Sequence, residues 1–585
     1  MKRKRVMAAV AVASALAVGL TACGGGSGSS STSGGGGAAF NAAIGKVFNP
    51  SETKGGTLRF ANSGDWDSLD PADMYYGYEW NFARLTGRGL VMFASAPGQE
   101  GTKLVPDLAQ SLGQSSDGGK TWTYKLRSGV KFEDGTKVTS KDVKYAVERS
   151  LDKTVFPDGP TYFNDFLDLQ GYTTPYSDPS PDKLGLKAIE TPDDSTIVFH
   201  LKTAFSGFDY FAALPSTQPV PVAADKGADY KKHVVSTGPY KFSENNLSKN
   251  FTLVRNDQWD QSTDPNRKPL PDQITVQLNV NADDIDSRLQ AGDLDIDIAG
   301  TGVQAAAQGK ILGNPAQKQN ADNPVSDRLW YAGINGDVAP LDNVHCRNAI
   351  EYAADKTSYQ AAYGGPTSGG DIATHLLPPP TQGSENFDPF PSPNHAGDAD
   401  KAKQELQACG QPNGFSTNIS YRAERPKEKN AAEALQQSLG KVGIKLTIKP
   451  YPTSDYFKLY AGKPDYAKAN GLGIMLTGWQ GDWTDGFGFL KQIVDSRVIH
   501  ASGGNTNLTV KDPAVDALVD KATTTSDTDA RNKAWVDVDK KVMSDAYILP
   551  GIFAKGLLYR PANLTNVFVN DAFGMYDYLA LGVKK

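Results

Sequence analysis

The chain has 585 residues, 39% hydrophobic, 22% charged and 10% aromatic, with a formal net charge of -6. This composition supports a substantial core and excludes an intrinsically disordered chain. The mildly acidic balance excludes the basic field that a nucleic-acid binder needs. At about 150 residues per domain, three to four domains are expected.

Lys2 to Arg5 form a basic start and Val6 to Leu20 an apolar, Ala/Val-rich stretch, the order of an export signal. Leu20-Thr21-Ala22-Cys23 then looks like a bacterial lipobox. It predicts cleavage after residue 22 and a lipid on the Cys23 thiol. Removing residues 1–22 takes away four positive charges and no acid, which leaves a charge of -10. Each buried lipid CH₂ contributes about 0.8 kcal/mol, so two or three chains anchor firmly. Residues 24–39 are Gly/Ser-rich and uncharged, so residues 23–53 are expected to be the lipidated Cys and a flexible tether. The body is expected on the outer face of the bacterial cell membrane. No apolar run after residue 22 approaches the roughly 20 residues that span a bilayer.

Thr57 to Ala61 alternates like a strand. Trp122 to Leu126 and Val130 to Phe132 read as two strands about Arg127-Ser128-Gly129, with Asp117-Gly118-Gly119-Lys120 as an earlier hairpin turn. Ser140 caps a predicted helix whose apolar face is Val143, Ala146 and Val147. Strand patterns follow at Ser195 to Leu201, Phe251 to Arg255 and Ile274 to Val280. Asp283 to Ala291 suits a helix closed by Gly292, with a strand at Leu294 to Ile296. Asn348 to Ala354 and Ala431 to Val442 are further helices; Gly443 ends the latter, and Ile444 to Ile448 resumes as strand. Ala530 to Ser544 is a long amphipathic helix. Helix–Gly–strand units point to mixed α/β domains.

Chemical signatures are scarce. The six histidines include no i, i+4 pair and no HExxH, and no GxSxG elbow occurs. Gly119-Lys120 lacks the Gly a phosphate loop needs at position 114. Asp293, Asp295 and Asp297 imitate a calcium loop, but Ile298 stands where its turn Gly must be. No metal, cofactor or catalytic residue is assigned, and an enzyme is not expected. Cys346 and Cys409 are the only cysteines of the mature body. An oxidising compartment favours a disulfide between them; the alternative is two separate buried thiols, and their Cα separation decides it.

A longer ordered set of motifs carries a resemblance. Pro106-Asp107-Leu108-Ala109 precedes Asp117 to Leu126, then Arg127-Ser128-Gly129-Val130-Lys131-Phe132-Glu133-Asp134-Gly135, Val138 to Val143 and Arg149. Thr237-Gly238-Pro239-Tyr240, Arg255-Asn256, Gly292 to Asp295, Arg347 to Ile350, Gly443-Ile444, Gly478-Trp479 with Asp482, and Pro513 to Leu518 follow in order. Over roughly residues 54–560 the chain resembles the bacterial extracellular solute-binding proteins of family 5, the peptide/nickel class. These are the dipeptide- and oligopeptide-capturing lipoproteins of ABC importers.

The resemblance implies an α/β, periplasmic-binding-protein-like fold (type II, cluster C) of two lobes with an additional domain. Lobe I would be 54–93, 217–325 and 553–585, the additional domain 94–216, and lobe II 326–552. The partners implied are a peptide, the permease subunits and, indirectly, the ATPase subunits, with the membrane reached through Cys23. Nickel chelates, haem, opines and oligosaccharides are alternative cargoes on this scaffold, and a cell-surface hydrolase is a remote one.

In peptide-binding relatives an Asp shortly after a Gly-Trp pair holds the ligand's amine, which makes Asp482 the expected anchor. Trp479 and Trp483 are expected as pocket walls, and Gly478 and Gly481 as points of close backbone approach. Tyr75 and Tyr76 sit where relatives place a ligand-contacting loop, and Tyr162 is expected to face the cleft from the additional domain. The carboxylate partner does not transfer, because Leu476 stands where some relatives carry a basic residue. Asp134-Gly135 and Arg127 are read as turn and scaffold.

Overall fold

Three sheets organise the described residues of the computed structural model, which are 39–584 apart from Asp67, Glu424, Thr453, Ser454 and Ser502. The expected signal peptide, the lipidation site Cys23 and the Gly/Ser stretch to residue 38 lie outside the described residues.

The first sheet orders its strands Ile296–Asp297, Thr57–Ala61, Gln273–Gln277, Asn250–Arg255 and Tyr240–Asn246. Thr57–Ala61 is parallel to both neighbours, and the remaining pairs are antiparallel. Its alternation seals Leu58 and Phe60 completely. The helix Ala282–Ala291 starts on the side chain of Asn281 and stops at Gly292, whose φ of 81° favours glycine.

A four-stranded sheet, Gln114–Ser115, Thr121–Lys125, Thr196–His200 and Ile189–Asp193, comes from a middle segment inserted between strands Thr57–Ala61 and Tyr240–Asn246 of the first sheet. The glycines 118 and 119 turn the first hairpin at φ 72° and 99°. Val130 to Phe132 does not form the second expected strand. Thr121–Lys125 pairs instead with Thr196–His200, and a tight loop folds Phe132 N–H onto the Thr136 carbonyl at 2.9 Å. Val130 and Phe132 are nevertheless buried, and their segment pairs through an isolated Lys131–Lys137 bridge in place of a sheet ladder. The helix Ser140–Ser150 begins at its expected cap, so the true cap lies one residue earlier. Thr139 is the cap, in a reciprocal box with Asp142.

The largest sheet orders Gly370–Ile372, Ile548–Lys555, Val325–Ile334, Leu472–Gln480, Ser416–Arg422 and Lys445–Tyr451. Val325–Ile334 is antiparallel to both neighbours, whereas Ser416–Arg422 is parallel to both. Helices Val344–Ala353 and Pro426–Gly440 bury Ile350, Leu435 and Leu439 in its core. A disulfide joins Cys346 to Cys409 across a Cα separation of 5.4 Å.

Buried ion pairs join the middle segment to residues that flank the strands of the first sheet. Arg149 makes a two-pronged contact with Asp70 at 2.6 and 2.9 Å and also reaches Asp225. Arg88 and Arg267 converge on Asp107. Against the second lobe the middle segment packs aromatic rings instead, among them Phe205 on Phe487 at 4.6 Å and Tyr210 on Trp483 at 5.3 Å. The expected tether to residue 53 ends earlier. Ala43 N–H donates to Asp322 Oδ1 at 2.9 Å, Phe48 bridges Val567, and Ser51 N–H reaches Asn566 Oδ1 at 2.8 Å. Phe40, Ile44 and Phe48 interrupt the Gly/Ser composition and pack against core residues, which holds this stretch on the body.

Candidate functional site

Asp482 follows the strand Leu472–Gln480 and lies where three parts of the chain meet. Tyr75, from the loop before helix Gly77–Ala83, donates its phenol to Asp482 Oδ1 at 2.9 Å. Tyr162, the first residue of helix Tyr162–Phe166, donates its phenol to Asp482 Oδ2. Burial and the Asp482 charge push both phenols well above their ordinary value, so they remain protonated donors at neutral pH. Burial likewise raises Asp482 to about 6, against the downward pull of the two phenols. No Lys or Arg among the described residues forms an ion pair with this carboxylate.

Further acids surround it. Asp327 and Asp485 are raised by burial to about 7 and about 6. Asp327 Oδ1 accepts from Thr381 at 2.8 Å, while its Oδ2 is buried without a partner. Beside the two tyrosines opens a cavity of about 790 Å³, bordered by Tyr75, Tyr162 and Trp479 and, farther out, by Lys153, Lys491, Arg497 and His500. The indole N–H of Trp479 is buried with no acceptor among the described residues.

Other expected site residues sit elsewhere. Trp483 is not a cavity wall. Its ring is 2% exposed, stacked on Tyr210 and Phe487, and its N–H is satisfied by Asp485 at 2.7 Å. Tyr76 is exposed and stacks on Tyr78, outside the cavity lining. Gly478 yields space to the chain itself: a Cβ there would stand 2.3 Å from the Trp330 ring. At Gly481 a Cβ would meet Asp327 Oδ2 at 2.5 Å. Their close approaches are to neighbouring strands and side chains, made necessary by the pairing of Val325–Ile334 with Leu472–Gln480.

The profile described as "Bacterial extracellular solute-binding proteins, family 5 Middle" matches residues 103–500. The chain belongs to the bacterial extracellular solute-binding proteins of family 5. Among its relatives, "Di/tripeptide-binding protein 1" of Pseudomonas aeruginosa (strain UCBPP-PA14) is 28% identical over 577 residues, 94% of this chain and 97% of that protein. "Heme-binding protein A" of Haemophilus influenzae (strain ATCC 51907 / DSM 11121 / KW20 / Rd) is 28% identical over 496 residues, 81% and 83% of the two chains. The solved structure "Clavulanic acid biosynthesis oligopeptide binding protein 2" superposes with a TM-score of 0.90 at 42% identity, covering 94% of this chain and 99% of that one. As a family 5 member the chain has the α/β two-lobe fold with an additional domain, and the family is one of extracytoplasmic solute-binding proteins of ABC transporters.

Asp327, Arg328 and Gln480 were missed in the sequence. The pairing that brings Arg328 opposite Gln480 joins segments 152 residues apart, and no local pattern announces it. The alternation around Trp330 was the one available signal, because it places Arg328 and Trp330 on one strand face.

Proposed function

We propose that this protein captures short peptides between its lobes and delivers them unchanged to the membrane permease of an ABC importer. The observation that carries this reading is the Asp482 carboxylate, which holds two phenol donors but no cation beside a cavity of about 790 Å³. A partly buried carboxylate in such surroundings is complementary to a ligand ammonium, since a desolvated charge demands an opposite one. Trp479 adds a flat aromatic wall to the cavity. The peptide-binding names of two similar proteins support the same cargo.

In this reading, lobe I is 54–93, 217–325 and 553–585, the additional domain 94–216 and lobe II 326–552. Closure is a hinge motion driven by the ligand's better fit to the closed form. The basic start, apolar stretch and Leu20-to-Cys23 motif support anchoring by lipid on Cys23 at the outer face of the membrane.

The test is titration calorimetry of wild type and Asp482→Asn with Ala-Ala-Ala and with its N-acetylated form. The substitution should weaken the free-amine peptide by about 2 kcal/mol or more, roughly thirtyfold, and the acetylated one far less. Equal losses remove the anchor role. Native mass spectrometry of protein never unfolded reports carried cargo, and a haem, metal or sugar mass there overturns the peptide assignment.

A further inference from the structure

The second lobe gathers two guanidiniums, Arg328 and Arg422, over one aromatic ring, with a third, Arg425, sharing the Glu428 carboxylate with Arg422. Arg328 donates from Nη2 to Gln480 Oε1 at 2.6 Å, and its Cζ stands 5.5 Å from the Trp330 ring centroid. Arg422, at the end of strand Ser416–Arg422, places its Cζ 6.0 Å from the same centroid and pairs with Glu428. Arg425 is the N-cap residue of helix Pro426–Gly440 and is partly exposed; Glu428, already engaged, lies 3.9 Å away. Among the described residues no carboxylate forms an ion pair with Arg328. Its site is so short of negative charge that burial, together with Arg425 and Arg422, lowers its pKa to about 10.

A partly buried guanidinium facing two like charges is costly unless an anion completes it. Cation–π contact with Trp330 holds it in the meantime, and the Trp330 ring fits there because residue 478 is glycine. The first turn of the 15-residue helix beside Arg425 has no side-chain cap, and its backbone dipole also favours negative charge. Arg328, Trp330, Arg425 and Gln480 all retain accessible surface. Gln480 is two residues from Asp482, about 7 Å along an extended chain. Its amide lies 3.9 Å from where a Cβ at Gly77 would stand, next to the loop that brings Tyr75 to Asp482. Gln480, to which Arg328 is hydrogen-bonded, and the Asp482 carboxylate therefore lie against the same loop, residues 75–77.

We propose that Arg328, held on Trp330, and Arg425, beside the Arg422–Glu428 pair, form an anion subsite on the second-lobe wall of the cleft. The preferred cargo then carries two negative groups, such as a peptide ending in an acidic residue. This rests on the peptide-capture reading, which supplies the ammonium at Asp482. Two carboxylates on one ligand end can divide between Arg328 and Arg425, each in a forked contact, while Arg422 stays neutralised by Glu428.

Titration calorimetry of the full chain with Ala-Ala-Glu and Ala-Ala-Gln, near-isosteric and one charge apart, tests it. The wild type should bind the Glu peptide at least tenfold more tightly at low salt. Arg328→Gln should reduce that ratio below threefold, because the Glu peptide loses more than the Gln peptide, which has one carboxylate fewer to place. Should that variant not fold, Arg425→Gln at the partly exposed position should shrink the ratio at least threefold. Equal wild-type affinities for the two peptides, or equal losses for both in a folded variant, overturn the subsite. If neither peptide binds, the peptide reading falls and glutarate decides the subsite alone. A thermal midpoint raised by glutarate in wild type but not in Arg328→Gln supports it, and no difference between them overturns it.

Discussion

Lowering the pH from 7 to 5 should weaken capture of Ala-Ala-Ala about tenfold. The ammonium of this peptide needs an ionised Asp482, whose folded pKa is raised by burial to about 6. At pH 7 about nine-tenths of the carboxyl is ionised, and at pH 5 about one-eleventh. The apparent Kd rises in proportion, by about 1.4 kcal/mol. The amine and terminal carboxylate of the peptide keep their charges over this interval, so the change belongs to the protein. Binding is present above pH 6 and lost as the pH falls through it. The ligand-free body has the opposite sign for this group. A carboxyl whose folded pKa lies above its unfolded value of 3.8 is costly when ionised, and that cost is relieved as the pH falls. Calorimetry at half-unit pH steps, with N-acetyl-Ala-Ala-Ala as control, reads the effect. The control matters because Asp327, Asp485 and Asp571 rise into the same interval. Parallel pH curves for the two peptides, or tighter amine binding at pH 5, would refute the assignment to Asp482.

Two stability predictions accompany it. Gly478→Ala should cost about 1–3 kcal/mol in urea unfolding, because the added methyl stands 2.3 Å from the Trp330 ring and overpacks it; an unchanged midpoint would show that the ring shifts freely. Reducing the Cys346–Cys409 bridge, whose cysteines are 63 residues apart, should cost up to about 4 kcal/mol by releasing a long loop in the unfolded chain. Urea unfolding with and without dithiothreitol measures it, and Cys346→Ser should abolish the reductant's effect.

Much of the second lobe's local structure was legible because its signals are local. The helix expected to run to Val442 and end at Gly443 stops earlier, at Gly440 with Lys441 as its cap; Gly443, at φ 91°, turns the chain after it, and the strand pattern that follows forms Lys445–Tyr451. The site was less legible. A tryptophan next to Asp482 looks the same in a sequence whether it walls a cavity, as Trp479 does, or fills an aromatic stack, as Trp483 does. The choice depends on Tyr210 and Phe487 arriving from opposite sides. The end of the tether was misjudged for a similar reason. Phe48 and Ser51 find partners at Val567 and Asn566, more than 500 residues away, and composition alone carries no record of them.

What the sequence determined by itself was everything set by neighbours along the chain: caps, turns, alternation, the export motif and the ordered family motifs. Tertiary structure alone decided which charges go unpaired. Among the described residues Arg328 lacks a carboxylate and Asp482 lacks a cation because of strand register and packing between distant segments. Electrostatic energy depends on distance through space and on lost solvent, and neither quantity is written in residue order.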